Sequence, residues 1–423
     1  MKSNNYLYQL IILCFLVLCS TKTIKKIYLP SSSIGSSKHI LVYHYSPKQD
    51  NGSDKKRKRA YIQGFIMYNS YIVIIIYHYL LASLHADEHP ALLANNFLIK
   101  LLDEADEKGE ILEDVIVVPY ANPIGLSQIF FGQHLGRFSF DTAINFNRDF
   151  LDLGKLVTPI ITNKLKKDDA NYNVDIIRRS ILEVIDNDAN VDEESVLKKE
   201  LLKLAAVSDV VIDLHCDAQA VMHMYTHDDL WPTLSDLAAE LECQCQLLAP
   251  ASGGMPFDEA CSTPWATIRS QFNSFEIPMA CESVTVELRG ETDVTKEYAK
   301  KDSKAIFNFL QRRGYILGAN NLESLKPLQR DASPLTGVEL IEASKPGIIC
   351  WNVKLGQSVK AGDLLGEIID IDEPSAPSTL IKSRIDGIVF AMRNTHLAKT
   401  GHTIIKISGE QKLPWRTGKL LTL

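Results

Sequence analysis

Two short segments, far apart in the chain, carry residue types that bind a catalytic metal ion. The segment HADE at residues 85–88 places an imidazole and a carboxylate three residues apart, and the segment DLH at residues 213–215 adds a second imidazole. Two histidines and one carboxylate leave a fourth position for water, as in catalytic zinc sites. We therefore expect His85, Glu88 and His215 to hold one zinc ion. An isolated HxxE pattern is more often an exposed helix start, but the matching DLH segment favours the metal site.

A second carboxylate has the position expected of a catalytic base. Glu287 lies in VTVELRG, a segment that is otherwise apolar and β-branched. A carboxylate there is costly unless it is paired or functional. We predict that Glu287 is the general base for metal-activated water and later protonates the leaving amine. Arg289 would face the same side of a regular strand and is expected to bind substrate; a structural Glu287–Arg289 ion pair is the alternative.

Arginines upstream of the second histidine suit recognition of an acidic substrate. The segment NFNR contains Asn147 and Arg148, and Arg137 precedes it. A guanidinium binds a carboxylate through two parallel hydrogen bonds, so we assign Asn147 and Arg148 to substrate binding. We expect Arg137 to stabilise the oxyanion that develops during attack. A solvated loop charge is the alternative for Arg137, and Asp213 is predicted to orient an imidazole.

Alternating strands and helices are predicted around these segments. Apolar residues follow a helical period over residues 91–105, 177–185, 196–205, 234–241 and 300–313, and strand patterns cover residues 115–119, 210–214 and 284–288. This order predicts an α/β fold with a mixed, mostly parallel sheet and flanking helices. Functional sites of such sheets gather at the carboxyl ends of the strands, where His85, His215 and Glu287 are expected.

The pattern changes after residues 327–334 to short strands separated by glycine turns. Residues 344–368 and 383–407 repeat one another, and each copy contains a glycine pair: Gly347 and Gly362 in the first, Gly387 and Gly401 in the second. A duplicated β unit predicts a small all-β, barrel-like domain over residues 334–410.

The first ninety residues are ambiguous. Residues 1–37 begin with a short apolar run typical of a signal peptide, unless the coding start is mis-assigned. Residues 65–84 are long and apolar enough to span a bilayer. Omitting residues 64–81 would join a strand at residues 60–63 directly to the metal segment, so our preferred hypothesis is that residues 64–81 are an insertion. The protein would then be cytoplasmic; otherwise it would be membrane-associated or secretory.

Composition limits the classes of function. The 423 residues allow a catalytic domain over residues 38–326 beside the smaller C-terminal one, and the net charge of −7 argues against a nucleic-acid partner. The eight cysteines contain no CxxC pair and are expected to be mostly free thiols.

The motifs resemble those of the succinylglutamate desuccinylase/aspartoacylase family, a branch of the zinc carboxypeptidase superfamily. The segments that carry the resemblance occur in family order and are HADEHP, ANPIGLSQ, NFNRDF, DLHCD, SGGMPFDEA and TVELRG. The resemblance covers most of residues 38–409, apart from residues 64–81.

This resemblance implies a carboxypeptidase-like α/β fold, one zinc ion on His85, Glu88 and His215, and Glu287 as the catalytic carboxylate. It implies that Asn147 and Arg148 bind a substrate carboxylate, whereas Arg137 is a looser match. The C-terminal repeat is similar to a biotinyl/lipoyl-type barrel without the modified lysine. The expected activity is deacylation of a small N-acyl amino acid. A peptide-trimming carboxypeptidase, an ester hydrolase and an inactive membrane-anchored binding protein are the alternatives.

Overall fold

A large mixed sheet forms the core of the protein, whose computed structural model describes residues 20–48 and 77–421. The nine strands lie in the order β1-β2-β4-β3-β7-β11-β9-β10-β12. The central strands β4, β3, β7 and β11 are mutually parallel, whereas β1 and β2 add antiparallel pairs at one edge and β9 runs antiparallel to β11. The mostly parallel α/β fold predicted from the sequence is confirmed.

The strands of this sheet are short and their central members are buried on both faces. Val210–Asp217, for example, is buried at seven of its eight positions, which is why its sequence shows a continuous apolar run. The bounds are β1 Thr23–Tyr28, β2 His39–Tyr45, β3 Tyr77–Ala82, β4 Asp114–Val118, β7 Val210–Asp217, β9 His223–Thr226, β10 Cys245–Leu248, β11 Glu282–Gly290 and β12 Ser333–Pro334, with the two-residue strands β5 Ile129–Phe130, β6 Gln133–His134 and β8 Gln219–Ala220 outside it.

Seven α-helices of the described part of the chain cover the two faces of the sheet. The five helices predicted from periodicity are present, and the first begins at Pro90, directly after the metal segment, and ends at Gly109 in the left-handed conformation that favours glycine. Two further helices were not predicted. The bounds are α1 Pro90–Lys108, α2 Leu153–Ile161, α3 Ala170–Asp186, α4 Glu193–Ala206, α5 Ser235–Glu240, α6 Phe257–Gln271 and α7 Lys296–Arg312.

The strand that leads into the metal segment is not the one expected. We predicted a strand at residues 60–63 and an insertion at residues 64–81, but β3, Tyr77–Ala82, occupies the centre of the sheet between β4 and β7. Leu80 and Leu81 are completely buried in it. The end of the supposed insertion is therefore part of the core, because its aromatic and leucine side chains pack well in a buried strand. Residues 49–76 lie outside the described residues.

The same finding corrects the membrane interpretation of residues 65–84. A bilayer-spanning helix cannot include β3, since those residues pair as a strand on both sides. Within residues 20–48 and 77–421, no helix combines the length and the apolar composition needed to cross a bilayer. The apolar run near the start of the chain falls outside the described residues.

The C-terminal repeat forms two small antiparallel sheets with a core of their own. One sheet has the order β13-β20-β18-β15 and the other β17-β16-β14-β19. Strand β8 of the larger domain pairs with β18, so the two domains are joined by backbone hydrogen bonds. The bounds are β13 Val338–Glu342, β14 Gly347–Trp351, β15 Ser358–Val359, β16 Leu364–Ile369, β17 Thr379–Lys382, β18 Gly387–Met392, β19 Leu397–Ala398 and β20 Thr403–Ser408.

Substitution of Leu80 by alanine tests the place of β3 in the core. Removing a fully buried leucine leaves a cavity, and we expect Leu80→Ala to lower the free energy of unfolding by about 2–5 kcal/mol in urea titrations. Ile34→Ala is the control, because Ile34 is fully exposed. Equal stability of both variants would show that β3 does not belong to the core.

Candidate metal centre and active site

Three elements bring the predicted ligands to one point. His85 follows β3, Glu88 lies just before α1, and His215 lies in β7. Nδ1 of His85 is 2.9 Å from Oε1 of Glu88, and Nδ1 of His215 is 2.7 Å from Oε2 of the same carboxylate. All three side chains are buried, and one donor atom of each lies within 4.8 Å of the others. The sequence prediction that these residues converge therefore agrees with the geometry.

Asn145 determines which ring nitrogen of His85 carries the proton. Its Oδ1 accepts a hydrogen bond from the backbone N–H of Asn147 at 2.9 Å, so this atom must be the amide oxygen. Nε2 of His85 lies 2.9 Å from the same oxygen and therefore donates to it. Burial and the nearby Arg137 lower the pKa of His85 to about 4. A neutral ring protonated at Nε2 carries a lone pair on Nδ1, the atom that faces Glu88.

Asp213 lies beside the same ring nitrogen, Nε2, of His215. Its Oδ2 lies 3.0 Å from Nε2 of His215, which places two buried, oppositely charged groups at an ion-pair distance. Burial opposes the imidazolium, but Asp213 and Glu88 raise the pKa of His215 well above its ordinary value. The two carboxylates thus favour the protonated imidazole in the metal-free chain, and a metal that binds Nδ1 would have to displace a proton from that atom.

The donor set fits a zinc ion. The Nδ1 lone pair of His85 and Oε1 of Glu88 are both acceptors and lie only 2.9 Å apart, so a positive charge is needed beside them. In this structure Nη1 of Arg137 donates to both, at 3.1 and 3.0 Å. Burial opposes ionisation of Glu88, yet the two imidazoles hold its pKa well below the usual range. Two imidazoles and an ionised carboxylate are ligands that zinc prefers.

Glu287 lies beside this cluster because β11 runs parallel to β7. The register of the two strands places Glu287 opposite His215. Burial, followed by repulsion from Glu88, raises the pKa of Glu287 to about 8. Glu287 lines the cavity, and its buried Oε2 has no hydrogen-bond partner among the described residues. A carboxyl group at the cavity wall with an unused oxygen can serve as a proton carrier.

Asn147 and Arg148 are held on the opposite side of the cluster. Oδ1 of Asn147 accepts from the backbone N–H of Phe257 at 2.8 Å, and its Nδ2 lies 3.2 Å from Nε2 of His215. The buried Arg148 donates through Nη1 to the carbonyl of Asn147 at 2.7 Å. Gly254, with φ of +93°, packs on the stem of Arg148, where a side chain would approach its Cδ at 3.0 Å.

Arg289 does not reach the cavity, contrary to the prediction. The register of β11 shifts between Glu287 and Gly290, and Arg289 has a φ of +64°. This bulge turns its side chain away from that of Glu287 and towards α7, where it pairs with Asp302 and stacks on Tyr298. The assignment of Arg289 to substrate binding was wrong because it assumed regular alternation.

The cavity above the cluster has a volume of about 610 Å³ and is closed partly by the C-terminal domain. Lys406 of β20 forms an ion pair with Asp217, two residues after His215. Glu291 also faces the cavity, and burial and repulsion from Asp87 raise its pKa to about 7. The sequence analysis did not identify Lys406 or Glu291 as residues of the cavity. The position of Glu291, four residues after Glu287, could have indicated that it lies near the site.

Solved structures with the same fold cover nearly the whole chain. A protein from Shewanella frigidimarina described as a succinylglutamate desuccinylase/aspartoacylase has a TM-score of 0.75 at 20% identity over 92% of this chain and 97% of its own. A protein of that family from Shewanella amazonensis gives 0.74 at 22% identity over 91% and 98%. The product-bound ectoine utilization protein of Ruegeria pomeroyi gives 0.60 at 18% identity over 91% and 94%.

These structures confirm the carboxypeptidase-like fold that the resemblance implied. No protein-family model matches the sequence, and no curated protein matches it either. At identities near 20%, the likeness establishes a shared fold.

Substitution of Asp213 by asparagine tests the orientation of His215. A neutral amide stabilises the donating imidazole less than a carboxylate, so we expect zinc affinity to fall by ~10–100-fold. Competition with a chromophoric chelator at fixed pH measures this change. Asp152→Asn is the control, since Asp152 caps α2 at the surface and asparagine also caps helices. Unchanged affinity in Asp213→Asn would remove Asp213 from the site.

The pKa of Glu287 predicts a pH-dependent stability of the metal-free chain. The folded state keeps the Glu287 proton up to a pH of about 8, whereas the unfolded state releases it near the ordinary value of 4.5. Folded protein thus binds more protons between these values, and stability falls as pH rises through this window. The Glu287→Gln variant lacks this ionisable group and therefore lacks this loss of stability. Its free energy of unfolding relative to that of the wild type should increase from pH 4.5 to pH 8. A constant difference across this range, measured by urea unfolding, would contradict the raised pKa.

Proposed function

We propose that this chain belongs to the succinylglutamate desuccinylase/aspartoacylase family and is a zinc-dependent hydrolase that cleaves the amide bond of a small N-acyl amino acid. The observation that carries the proposal is the convergence of His85, Glu88 and His215 beside Glu287, whose Oε2 has no hydrogen-bond partner among the described residues. The neighbours named for this family share the fold. A zinc ion held by the three ligands would polarise the scissile carbonyl and lower the pKa of water.

Glu287 supplies the proton transfers. Its carboxyl group lines the cavity and, when ionised, can take a proton from the attacking water. The same carboxyl group can then deliver that proton to the nitrogen of the leaving amine. Bound positive charge at the ligand cluster would favour the ionised form of Glu287, because Glu88 is a main cause of its raised pKa.

Arg137 and Arg148 supply the positive charge that the substrate needs. Arg137 is only about one-third exposed and already points at Glu88, so a metal there would release its guanidinium towards a developing oxyanion. Arg148 is buried and fixed by the carbonyl of Asn147, which suits a single orientation of a substrate carboxylate. The cavity of about 610 Å³ is of a size for a small molecule.

The enclosing wall favours a small substrate over a long peptide. Residues of β20 and of the preceding turn, including Lys406, face the ligand cluster across the cavity. A peptide would need an open groove on both sides of the scissile bond. A carboxypeptidase activity therefore has less support than a deacylase, although both share the same zinc chemistry.

The test is a screen of zinc-loaded protein with N-acyl amino acids, short peptides and esters. We expect release of the free amino acid from N-acyl amino acids and little cleavage of peptides. Glu287→Gln should lower kcat by ~10²–10⁴-fold while zinc content stays unchanged. Glu282→Gln is the matched control, because Glu282 lies at the other end of β11 and pairs with Arg313.

Two outcomes would overturn the proposal. Full activity of Glu287→Gln would exclude Glu287 as the proton carrier. A zinc-loaded wild-type protein that binds but does not hydrolyse any of the three substrate types would favour the binding-protein alternative.

A further inference from the structure

Strand β9 forms part of the cavity wall and carries a tyrosine to which the proposed mechanism gives no role. His223 of β9 lies opposite Glu287 of β11 in the register of the two antiparallel strands. Residues opposite each other in such a pair project from the same face of the sheet, and so do residues two apart on one strand. His223 and Tyr225 therefore share the face that carries Glu287, and Tyr225 lines the cavity.

The hydrogen bonds of His223 determine where its proton lies. Nδ1 of His223 is 2.8 Å from the backbone carbonyl oxygen of Val221, which can only accept, so Nδ1 carries the proton. The imidazole is completely buried, and this burial lowers its pKa to about 4, so the ring is neutral. A neutral ring protonated at Nδ1 has a lone pair on Nε2, which makes Nε2 an acceptor.

This lone pair determines the direction of the Tyr225 hydroxyl. The hydroxyl oxygen lies 3.2 Å from Nε2 of His223 and donates its one proton to that nitrogen. Burial, followed by repulsion from Glu287 and Asp217, raises the pKa of Tyr225 well above its ordinary value, so the phenol keeps this proton. Because the proton is already used, the oxygen can only accept a hydrogen bond from a molecule in the cavity.

The C-terminal domain holds His223 in this orientation. The backbone N–H of Val221 donates to the carbonyl of Phe390 in β18 at 2.9 Å. The ring of Phe390 meets that of His223 edge-on, with centroids 5.1 Å apart. A rotation that turned the imidazole away from Tyr225 would disturb this packing and leave a buried ring nitrogen without a partner, which is unfavourable.

An oxygen that only accepts distinguishes between otherwise similar ligands. An amide N–H can donate to it, whereas the corresponding oxygen of an ester offers only lone pairs. A site built to accept a hydrogen bond rejects an analogue that lacks the donor, because the buried acceptor is then left unpaired. Tyr225 is therefore suited to a substrate with an N–H group at this wall.

We propose that Tyr225 is a specificity-determining residue that accepts a hydrogen bond from the N–H of the scissile amide and so selects amides over esters. The inference rests on the proposed deacylase function. Glu287 returns its proton to the leaving nitrogen, so this nitrogen lies beside Glu287, on the face that also carries Tyr225. When water attacks the carbonyl carbon, the nitrogen becomes pyramidal and gains a free electron pair. A hydrogen bond from its N–H to Tyr225 leaves that electron pair free to take the proton of Glu287.

The test compares an N-acyl amino acid with its ester isostere, the O-acyl derivative of the matching 2-hydroxy acid, on the zinc-loaded full chain. Tyr225→Phe removes the accepting oxygen. We expect kcat/KM for the amide to fall by ~10–100-fold and kcat/KM for the ester to change by less than ~3-fold. Both compounds are measured on one sample, so a loss of folded protein lowers the two rates equally. Tyr28→Phe is the matched control, since Tyr28 is 63% exposed in β1.

A Tyr225→Phe variant that loses both activities equally, or neither of them, would overturn the proposal. Binding separates this result from a failure of the proposed function. In zinc-loaded Glu287→Gln protein, where turnover is blocked, calorimetry should show that the amide binds ~10-fold or more tightly than the ester, and the added Tyr225→Phe change should remove this preference. Equal affinities before that change would overturn the role of Tyr225. A wild-type chain that hydrolyses neither compound, beside a clear binding preference for the amide, would overturn only the proposed hydrolysis.

Discussion

The ionised carboxylate of Glu88, buried between two imidazoles, is the interaction on which the site depends. A carboxylate without solvent is stable only if positive charge or strong donors surround it. Here Glu88 lies before α1, and the two imidazoles come from separate elements: His85 follows β3 and His215 lies near the end of β7. Parallel strands deliver them together because their carboxyl ends share one edge of the sheet. The buried parallel sheet therefore provides the positions that a buried Glu88 carboxylate requires for its two imidazole partners.

The orientation of each imidazole depends on a second group that makes no contact with Glu88. Asn145 accepts the Nε2 proton of His85, and Asp213 lies at an ion-pair distance of 3.0 Å from Nε2 of His215. Both Nδ1 atoms therefore face the same carboxylate. The sequence allowed Asp213 to be predicted, since it alternates with His215 on a strand. Asn145 is sixty residues away from His85 in the sequence, and its role depends on a loop that returns to the metal segment. No local sequence pattern indicates that contact.

Several features were predictable because they depend on local periodicity or on strand ends. The helix at Pro90–Lys108 and the strand at Val210–Asp217 follow from regular apolar patterns and a glycine stop. Helix Phe257–Gln271 was missed because Pro264 interrupts its pattern. Arg289 was misplaced because a bulge breaks alternation. Strand β3 was misassigned because a long apolar stretch can be a membrane span, an insertion or a buried strand. Its partner strands β4 and β7 are far from β3 in the sequence, so no local pattern separates these possibilities.

The internal duplication of the C-terminal domain places different side chains at one equivalent position of its two copies. Glu367 pairs with Cys350 across β14 and β16, and Lys406 pairs with Ala391 across β18 and β20, so the two residues occupy equivalent places in the two copies. In one copy this place carries an acidic side chain bonded to Ser378 of its own domain; in the other it carries a base that reaches Asp217 of the larger domain. At this place only the second copy forms an ion pair with the larger domain, so the two copies should tolerate different substitutions there.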